Sequence, residues 1–266
     1  MNSNSQPIKL FLVVAFSCTS LLASLSPVLA KPTPNRSDAK TILAQAKTFN
    51  QPPIPAGSPP GGRVRGGAKR GESGCPTPKI DLTALVPFTQ EANSVINVWG
   101  QTTVEHPSWF FYVPYTKDSP YTVEFVLQDG DANEVYKKAI ALSDKPGVIS
   151  VSLPSTAPAL AVNTQYRWFF TINCDKEKNA PPTFVEGVIK RVNLSQPTVK
   201  EIEMAEPLKR YSIYAQNGIW YEALTTLAEL RQKNPQDAAL KAEWRNLLGS
   251  IRLDDVAGEP ILLGTP

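Results

Sequence analysis

The chain has 266 residues, with 27 Lys and Arg against 24 Asp and Glu, a formal charge of +3 that hides an asymmetry. Residues 31–79 carry nine Lys/Arg and two Asp/Glu, a net +7, whereas residues 80–266 carry 17 and 22, a net −5. A basic arm on a mildly acidic body suits a tail that touches anionic surfaces, cell-wall polymers or its own domain, and an exported chain of this kind is not expected to meet nucleic acid.

Residues 1–30 read as a secretory signal peptide. Lys9 precedes the apolar run Leu10 to Phe16, and Val28-Leu-Ala30 places small residues where a signal peptidase cuts, so cleavage is expected after Ala30. A membrane anchor is the competing reading. The run is too short and too broken by Ser and Thr, since a spanning helix needs about 20 mainly apolar residues. A lipoprotein reading would acylate Cys18, but Ala15-Phe16-Ser17 is a poor approach to such a cysteine. No other segment is apolar enough to cross a bilayer, so the mature chain is expected to lack a span. Its expected place is the periplasm or the medium.

Cleavage leaves two cysteines, Cys75 and Cys174, in an oxidising compartment. A disulfide between them is the economical reading. Two cysteines and one histidine cannot complete a zinc tetrahedron without carboxylates, and a redox pair is usually Cys-x-x-Cys. No metal or cofactor is expected.

Residues 31–79 show no hydrophobic period and are rich in Pro, Gly, Ser, Gln and basic residues. Such a composition cannot bury enough apolar surface to offset chain entropy, so a disordered linker, partly polyproline II, is expected. Within it, Gly61-Gly-Arg-Val-Arg-Gly-Gly67 looks like a phosphate loop, but follows no strand, opens no helix and lacks the Gly-Lys-Ser/Thr ending.

Residues 80–196 read as short strands between turn signals. Leu82 to Val86 stops at Pro87, and Ser94 to Trp99 alternates weakly. Trp109 to Val113 is apolar on both faces, as in a strand covered on both sides. Tyr121 to Gln128 and Glu134 to Leu142 form a hairpin with Asp129-Gly-Asp-Ala-Asn133 at its tip. Val148 to Leu153 follows. Tyr166 to Cys174 splits into Tyr166, Trp168, Phe170 and Ile172 on one face and Arg167, Phe169, Thr171 and Asn173 on the other, which is strand periodicity. Phe184 to Val192 closes the set. Seven or eight strands at this spacing predict an antiparallel, immunoglobulin-like β-sandwich.

Residues 197–253 turn to a helical period. A helix is expected from Pro207 to about Gln216, ended by Asn217-Gly218, and a second from about Trp220 to Lys233. Asn234 and Pro235 read as N-cap and first residue of a third helix, whose stripe is Leu240, Trp244, Leu247, Leu248 and Ile251. Residues 254–266 are expected to be an irregular tail. The whole is an α+β chain: a sandwich followed by a small three-helix domain docked against it.

Two resemblances rest on these residues. Gly218-Ile-Trp220-Tyr-Glu222-Ala223, then Leu227 and Pro235, resembles a single tetratricopeptide repeat, in which the glycine ends the first helix and the alanine packs at the helix crossing. One unit is too few for a peptide-binding groove. From Gly74-Cys75-Pro76 to Ile251 the chain resembles the cyanobacterial domain-of-unknown-function family 928. The residues are Leu82-Thr-Ala-Leu-Val-Pro87, Phe110-Phe-Tyr-Val-Pro-Tyr115, Val123-Glu-Phe-Val-Leu-Gln-Asp129, Tyr166-Arg-Trp-Phe169, Cys174-Asp175, Phe184-Val-Glu-Gly187 and Ala215 to Leu230. The resemblance implies an exported cyanobacterial protein and assigns no activity.

Four candidate sites remain. His106, the only histidine, sits before a strand without an Asp-His-Ser setting and is expected to be exposed and non-catalytic. Asp129, Asp131 and Asn133 begin like a calcium loop. Glu134 stands where an EF-hand needs Gly and Ile140 where it needs Glu, leaving a weak, non-EF calcium site against a plain hairpin tip. Trp99, Trp109, Tyr112 and Tyr115 are candidates for an aromatic platform for sugars or peptides, against a role in the core. Glu105, Glu124 and Glu186 could supply a glycosidase pair only at the right separation, and are otherwise solvated carboxylates. With no catalytic set, the expected function is non-enzymatic: a binding or scaffolding module for an envelope protein, with a polysaccharide as the alternative partner and a hydrolase less favoured.

Overall fold

The computed structural model describes residues 49–54, 61–66, 75–92, 95–175, 177 and 180–262. The expected leader and most of the expected linker lie outside them. The described residues form an α+β fold of nine strands followed by four helices.

The strands are β1 (Thr83–Ala84), β2 (Phe88–Gln90), β3 (Ile96–Thr102), β4 (Ser108–Val113), β5 (Thr122–Gln128), β6 (Glu134–Ile140), β7 (Gly147–Ser152), β8 (Gln165–Asn173) and β9 (Thr183–Arg191). A three-stranded sheet has the order β1-β4-β7, and a six-stranded sheet the order β2-β3-β9-β8-β5-β6. The expectation of purely antiparallel pairing fails at one place, because β3 and β9 run parallel, Trp99 opposite Val188. They are far apart in sequence, so no hairpin constrains their direction. The stretch 82–86 also differs from expectation. It is buried throughout, but its chain passes from one sheet to the other, so only Thr83–Ala84 pairs with β4, and β2 begins after Pro87.

The two sheets meet through aromatic side chains. Phe111 of β4 stacks on Phe170 of β8 at 4.3 Å and meets the edge of Trp168 at 5.7 Å. Trp109 packs on Phe125 of β5 at 4.8 Å. Such pairs contribute about 0.5–1.5 kcal/mol each beyond the area they bury. The inward set read from the period of β8, Tyr166, Trp168, Phe170 and Ile172, is buried as expected. Gly187 lies opposite Trp168, and a Cβ there would come within 2.5 Å of Trp168 Cζ2. Cys75 and Cys174 are disulfide-bonded, Cα to Cα 4.9 Å, closing a span of 99 residues. Tyr115 donates its hydroxyl to the Pro76 carbonyl beside this bridge.

The helices are α1 (Gln196–Met204), α2 (Pro207–Gln216), α3 (Trp220–Lys233) and α4 (Ala238–Ser250). Four replace the expected three. The missed α1 is announced by Ser195, whose hydroxyl accepts from the Thr198 N–H, and by Pro in its first turn. α4 begins at Ala238 rather than Pro235. Asp237 is the cap, accepting from Ala239 and Leu240, while Asn234 is occupied with the end of α3 through Leu230. α3 packs on the strands: Trp220 donates its indole N–H to the Leu85 carbonyl at 2.8 Å, and Tyr221 meets Trp109 edge-on at 5.9 Å. Buried residues of both sheets and of α2, α3 and α4 therefore form one continuous core.

Two segments assigned to the linker by composition pack on this body. Phe49 meets Trp220 edge-on at 4.8 Å, and the Asn50 N–H bonds to the Ala215 carbonyl. Residues 61–66 form a strap. Arg63 pairs with Glu186 of β9, and Val64 and Gly66 bond to Ala84 and Leu82 of the other sheet. Arg65 completes it with a two-pronged contact to Asp255, 2.7 Å on each side. Composition misled here because the strap is held by main-chain pairing to distant strands, by the single buried Val64 and by the Arg65–Asp255 contact, none of which needs a hydrophobic period. Glycine suits it: a Cβ on Gly66 would lie 2.7 Å from Thr183 Oγ1. The tail is not irregular over its described part either. A short 3-10 turn, Asp254–Val256, buries Val256, Ala257 after it is buried too, and the chain around Ile261 pairs with Val148 of β7.

Candidate functional site

The side of the six-stranded sheet that faces away from the three-stranded one is partly exposed over β5, β6, β8 and the ends of β9, while Trp99 of β3 and Val188 of β9 are buried on it. Side chains alternate across a strand, so the residues between the buried set of each strand share this face. On β8 they are Arg167, Phe169 and Thr171; on β9, Phe184, Glu186, Val188 and Lys190; on β5, Glu124, Val126 and Gln128; and Lys137 lies opposite Val126 on β6. Phe169, Phe184, Val126 and Thr171 are all half-buried. The strap adds Arg63, opposite Glu186.

The charges are laid over the rings. Arg63 lies 4.3 Å above the Phe184 ring and Arg167 lies 5.2 Å from the Phe169 ring. Cation–π contacts of this kind hold a guanidinium flat and desolvate one side of it. Arg167 also donates to Glu186 at 2.6 Å, and Lys137 pairs with Glu124 at 2.7 Å. Arg63 and Lys190 have no ion-pair partner among the described residues. At one end of the face a hollow of about 340 Å³ is lined by Gln128, Asp129, Gly130, Ala132, Gln165, Tyr166, Arg167, Phe169 and Val188.

A second cleft, about 540 Å³, lies where the parallel strands β3 and β9 end, between Thr103 and Val192 below and Val199, Ile202 and Tyr214 above. Behind Thr103 sits Glu222, the first-turn acid of α3. Its carboxylate accepts from the Thr102 hydroxyl and, at 3.3 Å, from the Thr103 N–H. Burial pushes this carboxyl up to about 7, against the opposing pull of those hydrogen bonds. Tyr214, which lines the cleft, is raised by burial and by the Glu222 charge.

The sequence candidates fall elsewhere. Trp99, Trp109 and Tyr112 are buried, at 2%, 0% and 5% exposure, so they form no surface platform. Tyr115 is half-buried, against Tyr121 and the Pro76 carbonyl. The two-faced strand β4 is real, and its two layers use up Trp109 and Tyr112, while Trp99 is buried on β3 opposite Val188. Asp129 is spent on its own turn. Its carboxylate accepts from the Asp131 and Asn133 N–H groups and from the Asn133 side chain, bonds that lower its pKa. No group of three metal-binding side chains occurs among the described residues. His106 is half-buried rather than exposed, its Nε2 3.1 Å from the Ala157 carbonyl. Glu105 pairs with Arg191 at 3.3 Å, so all three imagined glycosidase carboxylates sit beside cations of this chain.

Arg63, Phe169, Phe184 and Glu222 were missed. The alternation Phe184-Val-Glu-Gly-Val-Ile-Lys190 already separated an outward set carrying an aromatic and two charges. Glu222 was visible as an acid between Tyr221 and Ala223, inside an otherwise buried helical turn.

The family model described as Domain of Unknown Function (DUF928) matches residues 65–261, and the chain belongs to that family. No curated protein matches it. Among solved structures, the β-glucuronidase of Parabacteroides merdae is similar at 13% identity and a TM-score of 0.23, over 68% of this chain and 34% of the enzyme. Its form with glycerol in the active site gives 12%, 0.21, 68% and 33%. The chain thus spans about a third of the enzyme's length, and a likeness this weak carries no argument.

Proposed function

We propose that this DUF928 protein is an exported, non-enzymatic binding module that holds an envelope protein on the outer face of its six-stranded sheet. The observation that carries this reading is the face itself: two half-buried phenylalanines under two flattened guanidiniums, with paired carboxylates between them. Aromatic residues and arginine are the types that dominate protein interfaces. The Cys75–Cys174 bridge supports export, since such bonds persist in oxidising compartments. The commitment of His106 to a main-chain carbonyl and of the three glutamates to cations supports a role without catalysis. The facing sheets support an immunoglobulin-like descent with one parallel pairing. The left-handed Gly218, φ +72°, between α2 and α3 supports a tetratricopeptide-type pair.

A polysaccharide partner is less well supported. Its platform residues are in the core, and the rings on the open face are already covered by Arg63 and Arg167 rather than bare for a sugar to stack on. The test is site-specific photo-crosslinking in the producing cell's envelope. A photoreactive residue at Thr171, on the face, should give an adduct of one discrete protein mass, and the same residue at Asp144, on an exposed loop, should not. Adducts of equal yield at both positions, or none at Thr171, would remove the reading.

A further inference from the structure

We infer that the partner presents an extended acidic segment to this face, with carboxylates at alternate positions along β9. The inference rests on the binding reading above and adds the chemistry of what is bound.

Electrostatic bookkeeping on the face points to it. Four cations, Arg63, Arg167, Lys137 and Lys190, share the surface with Glu124, Glu186 and, opposite Gln128 at its far edge, Glu134. Each acid already faces a cation within the sheet, Glu124 and Glu134 with Lys137 and Glu186 with Arg167. Two cations, Arg63 and Lys190, remain without a counter-ion among the described residues. Along β9 the charge left without a counter-ion is therefore positive.

Arg63 is also fixed in position. Its main chain is bonded in both directions to Glu186, 3.0 Å each way, and its guanidinium rests on Phe184. A side chain held this way loses little rotamer entropy when it meets a carboxylate. The spacing completes the case. Arg63 lies opposite Glu186, Arg167 opposite Val188, and Lys190 follows on the same strand. Positions 186, 188 and 190 are each two residues apart on one face, so Arg63 and Lys190 are separated by about 13 Å along the strand. A partner strand laid along β9 repeats with the same period. Acids at its positions i and i+4 reach Arg63 and Lys190, and one at i+2 reaches the free donors of Arg167. Phe169 and Val126, both half-buried, lie beside that line and receive apolar side chains.

The test uses the full-length, disulfide-intact chain and fluorescein-labelled nine-residue peptides with Glu, or Lys, at every second position and Val or Thr between. Anisotropy should show the Glu peptide binding, weakening as salt rises, and the Lys peptide not binding. Arg63→Gln with Lys190→Gln should cost the Glu peptide about tenfold in affinity or more, since each removes a complementary charge. Lys117→Gln, a charge loss on an exposed loop, should leave it unchanged. Circular dichroism and the melting temperature verify that each variant is folded. Charge reversal at Lys190 alone supplies a second reading if the double variant is unstable. Equal binding of Glu and Lys peptides, or affinity indifferent to Arg63 and Lys190, overturns the inference. Binding of polygalacturonate in preference to the peptide overturns the protein class of partner. A Thr171 crosslink that persists while no acidic peptide binds would sink this inference and leave the binding reading standing.

Discussion

Replacing Glu222 by Gln should stabilise the protein above neutral pH. Glu222, in the first turn of α3, is 8% exposed and faces the Thr102 hydroxyl, the N–H of Thr103, the main chain at Val104 and the phenols of Tyr214 and Tyr221. No cation bonds to it among the described residues. Its carboxyl titrates at about 7 in the folded chain against 4.5 for the ordinary group. At about 1.4 kcal/mol per pH unit, ionising it in place costs the fold about 3 kcal/mol. The sign follows from the raised value. Below pH 4.5 both states hold the proton and nothing is lost. Between 4.5 and 7 the unfolded chain releases its proton first, so stability falls. Above 7 the loss is complete and constant. Glutamine occupies the same volume and never ionises. Its oxygen can accept from Thr103, and the Thr102 hydroxyl can turn to accept from its amide. Urea unfolding followed by tryptophan fluorescence from pH 4.5 to 9, with the disulfide intact, is the assay. The two proteins should be close at pH 4.5 and diverge as pH rises, E222Q ending up to about 3 kcal/mol more stable. Parallel curves, or a less stable E222Q at pH 8, would refute the placement of an unpaired carboxylate there.

Three other outcomes are expected. Gly187→Ala forces a methyl against Trp168 and against Val98 Cγ1 and O at 2.8 Å, and should cost about 1–3 kcal/mol or more in the same assay. Removing both Cys75 and Cys174 reopens a 99-residue span and should lower stability by about 4–5 kcal/mol in the chain-entropy model, with the same loss in wild type on reduction. Asp237→Ala removes the acceptor for two N–H groups at the start of α4 and should cost about 1 kcal/mol, read as a lower thermal midpoint; Asn234→Ala should not reproduce a loss at that helix start.

What the sequence determined alone was whatever a short stretch decides for itself. The period of Tyr166 to Ile172 fixed which side of β8 is buried, because alternation is a property of one strand. Pro207, Asn217-Gly218 and the Trp220, Leu224, Leu227 stripe placed α2 and α3, because caps and apolar faces act within a few positions. The Cys75–Cys174 bridge followed from counting. Tertiary structure decided everything that depends on a distant partner. Trp99, Trp109 and Tyr112 looked like a platform until a second layer covered them, and no local signal says which of two apolar faces will be covered. The glycine-rich strap reads as linker because what holds it, main-chain bonds to Glu186, Leu82 and Ala84, one buried Val64 and the Arg65–Asp255 pair, depends on distant partners that composition does not register. Glu222 and Thr102 are 120 positions apart. Their meeting, like the stacking of Arg63 on Phe184, exists only once α3 and the strap are laid on the sheets.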